Sequence, residues 1–175
     1  MQRPKRNEYA PFHESYLKLL PPRTGARTLL RKGFREARAL LFSIPESQGN
    51  YAYAPEKWTI KQVIMHLIDT ERVFAYRILC FLRKDRIALP GFNQDFWAEE
   101  YDVAHRSIRS LVQEWKAVRD NTLFILDQCS PDREAFLGVA SGRQVSARAY
   151  FYVIAGHQIA HLNTLKEKYL TVADA

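Results

Sequence analysis

Four stretches of the chain place apolar residues at the three- and four-residue steps of an amphipathic helix. They span about residues 26–41, 59–83, 108–129 and 146–169. The second is apolar on nearly every side, which indicates a helix at the centre of the core. Thr59 and Gln62 can form a capping box at its start, and Ser146 can cap the fourth helix. The pattern predicts an all-α protein built on four long helices.

The connection after the second predicted helix is long. Residues 84–103 are rich in aromatic side chains and have no helical period of useful length. We therefore expect a crossover packed over one end of a four-helix bundle, rather than a tight hairpin. No run alternates long enough to demand a sheet. We predict one bundle domain over residues 23–172, with an irregular basic N-terminal arm over residues 1–22 packed on it.

Composition agrees with one globular domain. The 175 residues are 47% hydrophobic, enough for a full core without disulfides. Cys80 and Cys129 fall inside apolar helical patterns, so we interpret them as core residues and expect a reducing compartment. The longest segment without Asp, Glu, Lys or Arg, residues 149–165, contains polar side chains that a lipid-facing helix would avoid. Because the first eleven residues also lack an export signal, we predict a cytoplasmic protein without membrane association.

The net charge of +7 is concentrated near the N-terminus. Residues 1–38 carry ten Lys or Arg against three Glu, whereas the rest of the chain carries sixteen residues of each sign. Four arginines form a row on the polar side of the first predicted helix: Arg27, Arg31, Arg35 and Arg38. Like charges at this spacing are destabilising unless an anion or an acidic surface lies opposite. The row is either a solvated face or an anion-binding surface, and the sequence leaves both open.

Three histidines fall on predicted core positions. His157 and His161 are four residues apart on the inner side of the fourth helix, and His66 lies in the middle of the apolar second helix. The pair alone is a weak signal, but three imidazoles in a dry core each need a polar partner, and one metal ion would satisfy all three. The sequence therefore predicts a divalent metal site on His66, His157 and His161, if the second and fourth helices are neighbours. Three nitrogen ligands leave one coordination position open and suit Zn, Ni or Fe.

Asp69 lies one helical turn after His66 and has several possible roles. It could orient an imidazole, act as a fourth ligand or serve as a base, or it could simply pair with Arg72. Glu71 points away from His66, and we assign it no role. His13 and His105 lie outside the core stripes, so we expect both on the surface.

The chain has no glycine-rich phosphate loop, CxxC pair or GxSxG elbow, which excludes the corresponding nucleotide, zinc-finger and serine-hydrolase sites. Side chains from several segments could line a pocket for a small-molecule substrate. The candidates are Arg72, Tyr76, Phe92 and Trp97, with core packing as the alternative for the aromatic residues. The substrate itself is not indicated.

Several blocks together resemble the DinB-like, or DinB/YfiT, superfamily. They are residues 53–55 (YAP), 57–61 (KWTIK), 66–72 (HLIDTER), 89–92 (LPGF), 94–95 (QD) and 155–157 (AGH), with His161. The likeness runs in order over about residues 9–170. It implies an up-down-down-up four-helix bundle and a metal site whose family positions fall on His66, His157 and His161.

The resemblance also implies an activity. Characterised relatives are similar to thiol-dependent transferases or isomerases that use a low-molecular-weight thiol, or to metal-dependent hydrolases. We therefore expect a metal-dependent transferase or hydrolase, with a homodimer as a further expectation because relatives often pair. The alternative is a non-catalytic module that grips nucleic acid or another polyanion through the arginine row. No nucleic-acid motif supports that alternative, and the row lacks interleaved aromatic residues.

Overall fold

The computed structural model describes residues 1–170, so the last two residues of the predicted domain range 23–172 lie outside the described residues. Its helices are α1 (Glu14–Lys18), α2 (Ala26–Phe42), α3 (Ile60–Leu82), α4 (Gln94–Glu100), α5 (Ile108–Asp127), α6 (Pro131–Glu134) and α7 (Ala147–Thr164), which continues as a π-helical turn, Leu165–Tyr169. Two strands, β1 (Leu137–Ala140) and β2 (Arg143–Ser146), precede α7. The four predicted long helices are confirmed as α2, α3, α5 and α7.

These four helices form a bundle in which α2 and α3 are diagonal to each other, and each packs against both α5 and α7. Helices α3 and α5 run in the same direction. Lys61, at the start of α3, donates to the carbonyl of Ala104 just before α5, and Arg133, just after α5, donates to the carbonyl of Leu82 at the end of α3. The chain therefore crosses the whole bundle between them, and the up-down-down-up arrangement is confirmed.

Side-chain caps fix the starts of the two helices that matter for the site. At α3 the backbone N–H of Gln62 donates to Thr59 Oγ1 (3.2 Å), and the backbone N–H of Thr59 donates to Gln62 Oε1 (2.8 Å). This is the predicted capping box. At α7 Ser146 Oγ accepts a hydrogen bond from the Ala149 N–H (3.1 Å), as predicted. Both caps satisfy backbone donors that a helix start would otherwise leave unpaired.

The structure adds a small antiparallel hairpin that the sequence pattern does not reveal. Strands β1 and β2 pair from Leu137 opposite Ser146 to Ala140 opposite Arg143. Four-residue strands are too short to show a clear alternation. Gly138 is required here because a Cβ would overlap the ring of Phe81 on α3. The hairpin thus lies close against the C-terminal half of α3.

The N-terminal arm is more ordered than the predicted irregular segment. It contains two 3₁₀ turns, Arg6–Glu8 and Pro11–His13, followed by α1. Glu8 is buried and accepts hydrogen bonds from Ser146 and Arg148 at the start of α7. This ion pair anchors the arm, and α1 then packs along α7.

A buried ion pair joins all four bundle helices. Glu71 on α3 accepts from Arg119 on α5, with 2.7 Å between Oε1 and Nε, and both side chains are 2% exposed. Arg119 also donates to the Leu30 carbonyl on α2 and to Gln158 on α7. Glu71, to which we assigned no role, therefore belongs to the core.

Within residues 1–170, no helix combines the length and the apolar character that a bilayer crossing needs.

Candidate metal centre

Three imidazoles meet between α3 and α7. His66 Nε2 lies 3.0 Å from His157 Nε2, and His161 Nε2 lies 3.0 Å from the same atom. One ring nitrogen from each of the three residues can be chosen so that all lie within 4.8 Å of one another. The three histidines of the predicted metal site are thus brought together in the interior.

The local fold explains this convergence. Helices α3 and α7 are packed neighbours, and the first half of α3 lies against the second half of α7. The four-residue spacing of His157 and His161 places both rings on one side of α7, and His66 faces them from α3. His66 and His157 are buried, and His161 is half-buried.

The interior keeps these imidazoles uncharged. Burial lowers the pKa of His66 to about 3 and that of His161 to about 4, and it lowers the pKa of His157 well below its usual value. The mutual proximity of the rings adds to the effect for His66 and His157. Neutral imidazole is the form that binds metal ions, because one nitrogen carries a free lone pair.

The three residues fit a divalent transition-metal ion. An ion with tetrahedral bonds of about 2.0–2.1 Å to nitrogen separates its ligand atoms by roughly 3.3 Å, which is close to the 3.0 Å between His157 Nε2 and the Nε2 atom of each of the other two rings. His157 Nε2 lies between two other ring nitrogens. Because a neutral imidazole has only one N–H to donate, hydrogen bonds do not account well for both contacts, whereas a shared metal ion does. Among the described residues, His66, His157 and His161 are the group of His, Cys, Asp or Glu side chains whose ligand atoms lie close enough together to hold one metal ion.

Neighbouring side chains hold the rings in place. The Trp58 indole lies against His66, with 4.7 Å between ring centroids, and Thr70 Oγ1 lies 3.5 Å from His66 Nδ1. The Tyr16 ring contacts His157 edge-on at 5.2 Å. Thr70 could have been found from its spacing of four after His66, whereas Tyr16 belongs to the arm and has no sequence signal that links it to His157.

Asp69 lies near the centre but outside the group of three. Its Oδ1 accepts a hydrogen bond from Arg72 (3.3 Å), so the pairing with Arg72 that we considered from the sequence is present. Burial raises the pKa of this carboxyl, although Arg72 opposes the shift. Thr70, rather than Asp69, approaches the Nδ1 atom of His66. Asp69 lines the same cleft as His66, which leaves it available for proton transfer.

A narrow cleft with a free volume of about 10 Å³, room for roughly one water molecule, reaches the centre at His66. Its walls are α3 and the crossover segment, contributed by Gln62, Met65, Asp69, Phe92, Gln94, Trp97, Ala98, Tyr101 and Val103. An open mouth of about 440 Å³ adjoins it and is lined in part by Arg72, Glu100 and Glu114. The suggested wall residues Phe92, Trp97 and Arg72 therefore lie at the cleft or its mouth. Tyr76 lies instead in a separate groove between α3 and α5, outside the cleft that His66 lines.

Two further sequence expectations have different outcomes. His105 is exposed, as expected, but His13 is buried at 4% exposure, so its surface assignment is wrong. The 3₁₀ turn that carries His13 packs it against Phe74 and Tyr150. Cys80 and Cys129 are half-buried free thiols.

The arginine row of α2 is exposed. Arg27 forms an ion pair with Asp127 on α5, and Arg38 lies over the Phe42 ring, 5.1 Å from its centroid. Arg109 from α5 lies over the same ring at 5.1 Å. One exposed aromatic ring is therefore flanked by two guanidinium groups on this face.

Comparisons with known proteins agree with this architecture. The chain is similar in structure to YfiT from Bacillus subtilis, which is described as a probable metal-dependent hydrolase with an unusual four-helix bundle topology. The TM-score is 0.72 at 12% identity, and the match covers 99% of this chain and 95% of YfiT. At that identity the likeness shows the fold. No curated protein is significantly similar in sequence. Residues 29–165 match the family model of the DinB superfamily, and the chain belongs to that superfamily.

Proposed function

We propose that this protein is a metal-dependent enzyme, a hydrolase or a thiol-dependent transferase, that holds a divalent ion on His66, His157 and His161. The observation that carries the proposal is the convergence of three neutral imidazoles in the interior. A fourth protein ligand is absent from the described group, as in catalytic rather than closed structural sites. The description of YfiT as a probable metal-dependent hydrolase supports the same reading.

When bound, the ion would supply Lewis-acid chemistry, lowering the pKa of a coordinated water or thiol. The remaining tasks belong to the chain. Trp58 and Thr70 fix the ring of His66, and Tyr16 fixes that of His157. Met65 and the crossover aromatics narrow the cleft and exclude bulk water from its inner end. These contacts pre-organise the ligands, so that little rearrangement accompanies the reaction.

Asp69 is our candidate for the proton-transfer group. It lines the cleft together with His66, and burial raises the pKa of its carboxyl towards the range in which it can exchange protons. Arg72 engages Oδ1, so we assign the proton to Oδ2. An Asp69→Asn variant should retain metal and lose most activity, typically about 10²-fold or more for a lost general base.

The first test is metal content. The chain, purified without a histidine tag, should contain about one transition-metal ion per molecule by elemental mass spectrometry, either as isolated or after incubation with Zn or Ni. His66→Ala and His157→Ala should lose it, whereas His105→Ala, at an exposed histidine, should retain it. Metal-free parent protein after that incubation, or variants with unchanged metal, would disprove the site.

The second test separates the two reaction types. Metal-loaded protein is assayed for hydrolysis of activated esters and amides, and for conjugation of a low-molecular-weight thiol to an electrophile. Activity that needs the thiol and the metal supports a transferase, and activity with water alone supports a hydrolase.

A cytoplasmic location and a homodimer stay predictions, and light scattering of the purified protein tests the latter.

The exposed face of α2 favours one alternative function, a module that binds a polyanion. Phe42 between Arg38 and Arg109 supplies a stacking surface beside positive charge, which the linear sequence did not suggest. Such binding should weaken steeply as salt increases. Double replacement Arg38→Ala/Arg109→Ala should then reduce the affinity for a nucleic-acid oligomer, and absence of binding at low salt would remove this alternative.

A further inference from the structure

The crossover segment that covers the cleft is acidic in an otherwise basic protein. Residues 88–104 contain four carboxylates and no Lys or Arg, whereas the whole chain carries a net charge of +7. The carboxylates belong to Asp95, Glu99, Glu100 and Asp102. Of these, Glu100 lines the mouth of the cleft directly. The other three are exposed and lie on α4 or next to it.

The basic side chains at the mouth are already engaged. Arg72 donates to Asp69 (3.3 Å) and to Glu114 (2.6 Å), and Arg106 also pairs with Glu114. Two guanidinium groups thus balance two carboxylates. Among the described residues Glu100 forms no ion pair, and Asp102 pairs only with His105, at 3.9 Å between Oδ2 and Nδ1. A ligand that enters the cleft therefore meets a negative potential.

Aromatic rings provide the second element of the site. Phe92 and Trp97 are stacked at 4.8 Å between ring centroids, and both line the cleft. Trp97 and Tyr101 are 39% and 42% exposed, and α4 has no buried residue. These rings therefore contribute little to the core, and their free faces are available to a ligand. An aromatic face beside carboxylates is the arrangement that attracts organic cations.

We propose that the mouth of the cleft recognises a cationic amine that carries a flat apolar group, with Trp97 as the stacking surface and the acidic crossover segment as the charge filter. The inference rests on the proposed function, because the reacting group of the same molecule would lie at the His66 end of the cleft. Anionic molecules are repelled, and an anionic thiol co-substrate is among them. Of the two proposed reaction types, this favours hydrolysis.

The test uses three benzyl compounds that differ in charge: benzyltrimethylammonium, benzyl alcohol and benzylsulfonate. Their binding is measured by titration calorimetry and by ligand-detected NMR, on both metal-free and metal-loaded protein. We expect the cation to bind at least tenfold more tightly than the anion, with the alcohol between them. Trp97→Ala should abolish most of the binding of the cation, and this variant should fold because Trp97 is already well exposed.

The charge filter is tested separately. Glu100→Lys should weaken binding of the cation roughly three- to tenfold and strengthen binding of the anion, as expected for a change of two unit charges at about 7 Å in a watery surrounding. Glu36→Lys is the matched control, since it reverses the same charge at an exposed site on α2, diagonal to α3. It should leave both affinities nearly unchanged.

Two results would overturn the inference: equal or tighter binding of benzylsulfonate in the parent, or unchanged binding of the cation in Trp97→Ala. These failures differ from failure of the proposed function, because metal content is measured on the same samples. A parent that binds metal on the three histidines but prefers the anion would retain the proposed function and lose only the substrate class.

Discussion

Gly156 on α7, one position before the candidate metal ligand His157, lies directly against the backbone of Tyr16. A Cβ at position 156 would overlap the Tyr16 carbonyl oxygen and lie 2.7 Å from its carbonyl carbon. This close approach lets the Tyr16 ring rest against His157, at 5.2 Å between ring centroids. The N-terminal arm is therefore one wall of the candidate metal centre.

Gly156→Ala should push the arm away from α7. We expect a loss of about 1–3 kcal/mol in the free energy of unfolding, as for an overpacked core, and faster tryptic cleavage within residues 1–22. Gly25→Ala is the matched control, because nothing lies within 4 Å of a Cβ at that position. An arm that stays equally resistant to trypsin in Gly156→Ala would show that the contact is not needed to hold it.

His13 should make the protein sensitive to mild acid. Its Nδ1 atom is buried without a hydrogen-bond partner, and burial together with Arg77 lowers its pKa to about 4. Below pH 6.5 the unfolded chain takes up a proton that the folded protein resists until about pH 4, so stability falls as the pH drops through this window.

The contribution of His13 is measured by urea unfolding at several pH values. At full protonation it amounts to roughly 3 kcal/mol. His13→Phe keeps an aromatic ring against Phe74 and Tyr150. It should reduce the slope between pH 6.5 and 4 by the contribution of one proton, whereas the three buried histidines of the candidate metal centre still contribute to the remaining slope. The exposed His105 serves as control, since His105→Phe should leave the slope as in the parent. Identical slopes in parent and His13→Phe would refute the assignment.

Removing Glu71 should strongly destabilise the bundle. Its carboxylate accepts from Arg119 and from Trp115 Nε1 (2.8 Å), all in the interior. Glu71→Gln leaves the Arg119 charge buried without its counter-ion, which should cost about 3–5 kcal/mol in urea unfolding. Glu71→Gln combined with Arg119→Met removes both charges and should recover part of that loss.

The exposed pair Lys116 and Asp120 is the control for this ion pair. Asp120→Asn should change stability by at most about 1 kcal/mol, because exposed pairs contribute little. A loss of similar size in Glu71→Gln would mean that the buried pair is not a principal support of the fold.

Gln62 connects the cap of α3 to the wall of the cleft. Its Oε1 accepts from the Thr59 N–H, and its Nε2 donates to the Ala98 carbonyl on α4 (2.9 Å). Gln62→Glu keeps an acceptor for the cap but places an oxygen opposite the Ala98 carbonyl. We expect global stability to change little, while hydrogen exchange of the α4 amides becomes at least severalfold faster. Unchanged exchange in α4 would show that other contacts hold the helix.

Much of the architecture was determined by the sequence alone. The apolar periods of α2, α3, α5 and α7, and the caps at Thr59 and Ser146, are local properties, because helix formation depends on side chains three and four residues apart. The spacing of His157 and His161 likewise fixes their common face. Together with the aromatic crossover and the family blocks, these features predicted the bundle and the three histidines of the candidate centre.

Only the tertiary structure decided the rest, because it depends on residues far apart in the chain. Glu71 meets Arg119 across 48 positions, and Glu8 meets Arg148 across 140. No period in the sequence records such pairings. The same holds for the burial of His13 and the contact of Tyr16 with His157, since a short arm has no helical pattern that reveals which side faces inward. The strands β1 and β2 are too short to alternate visibly, and their place is set by the close packing of Gly138 on Phe81.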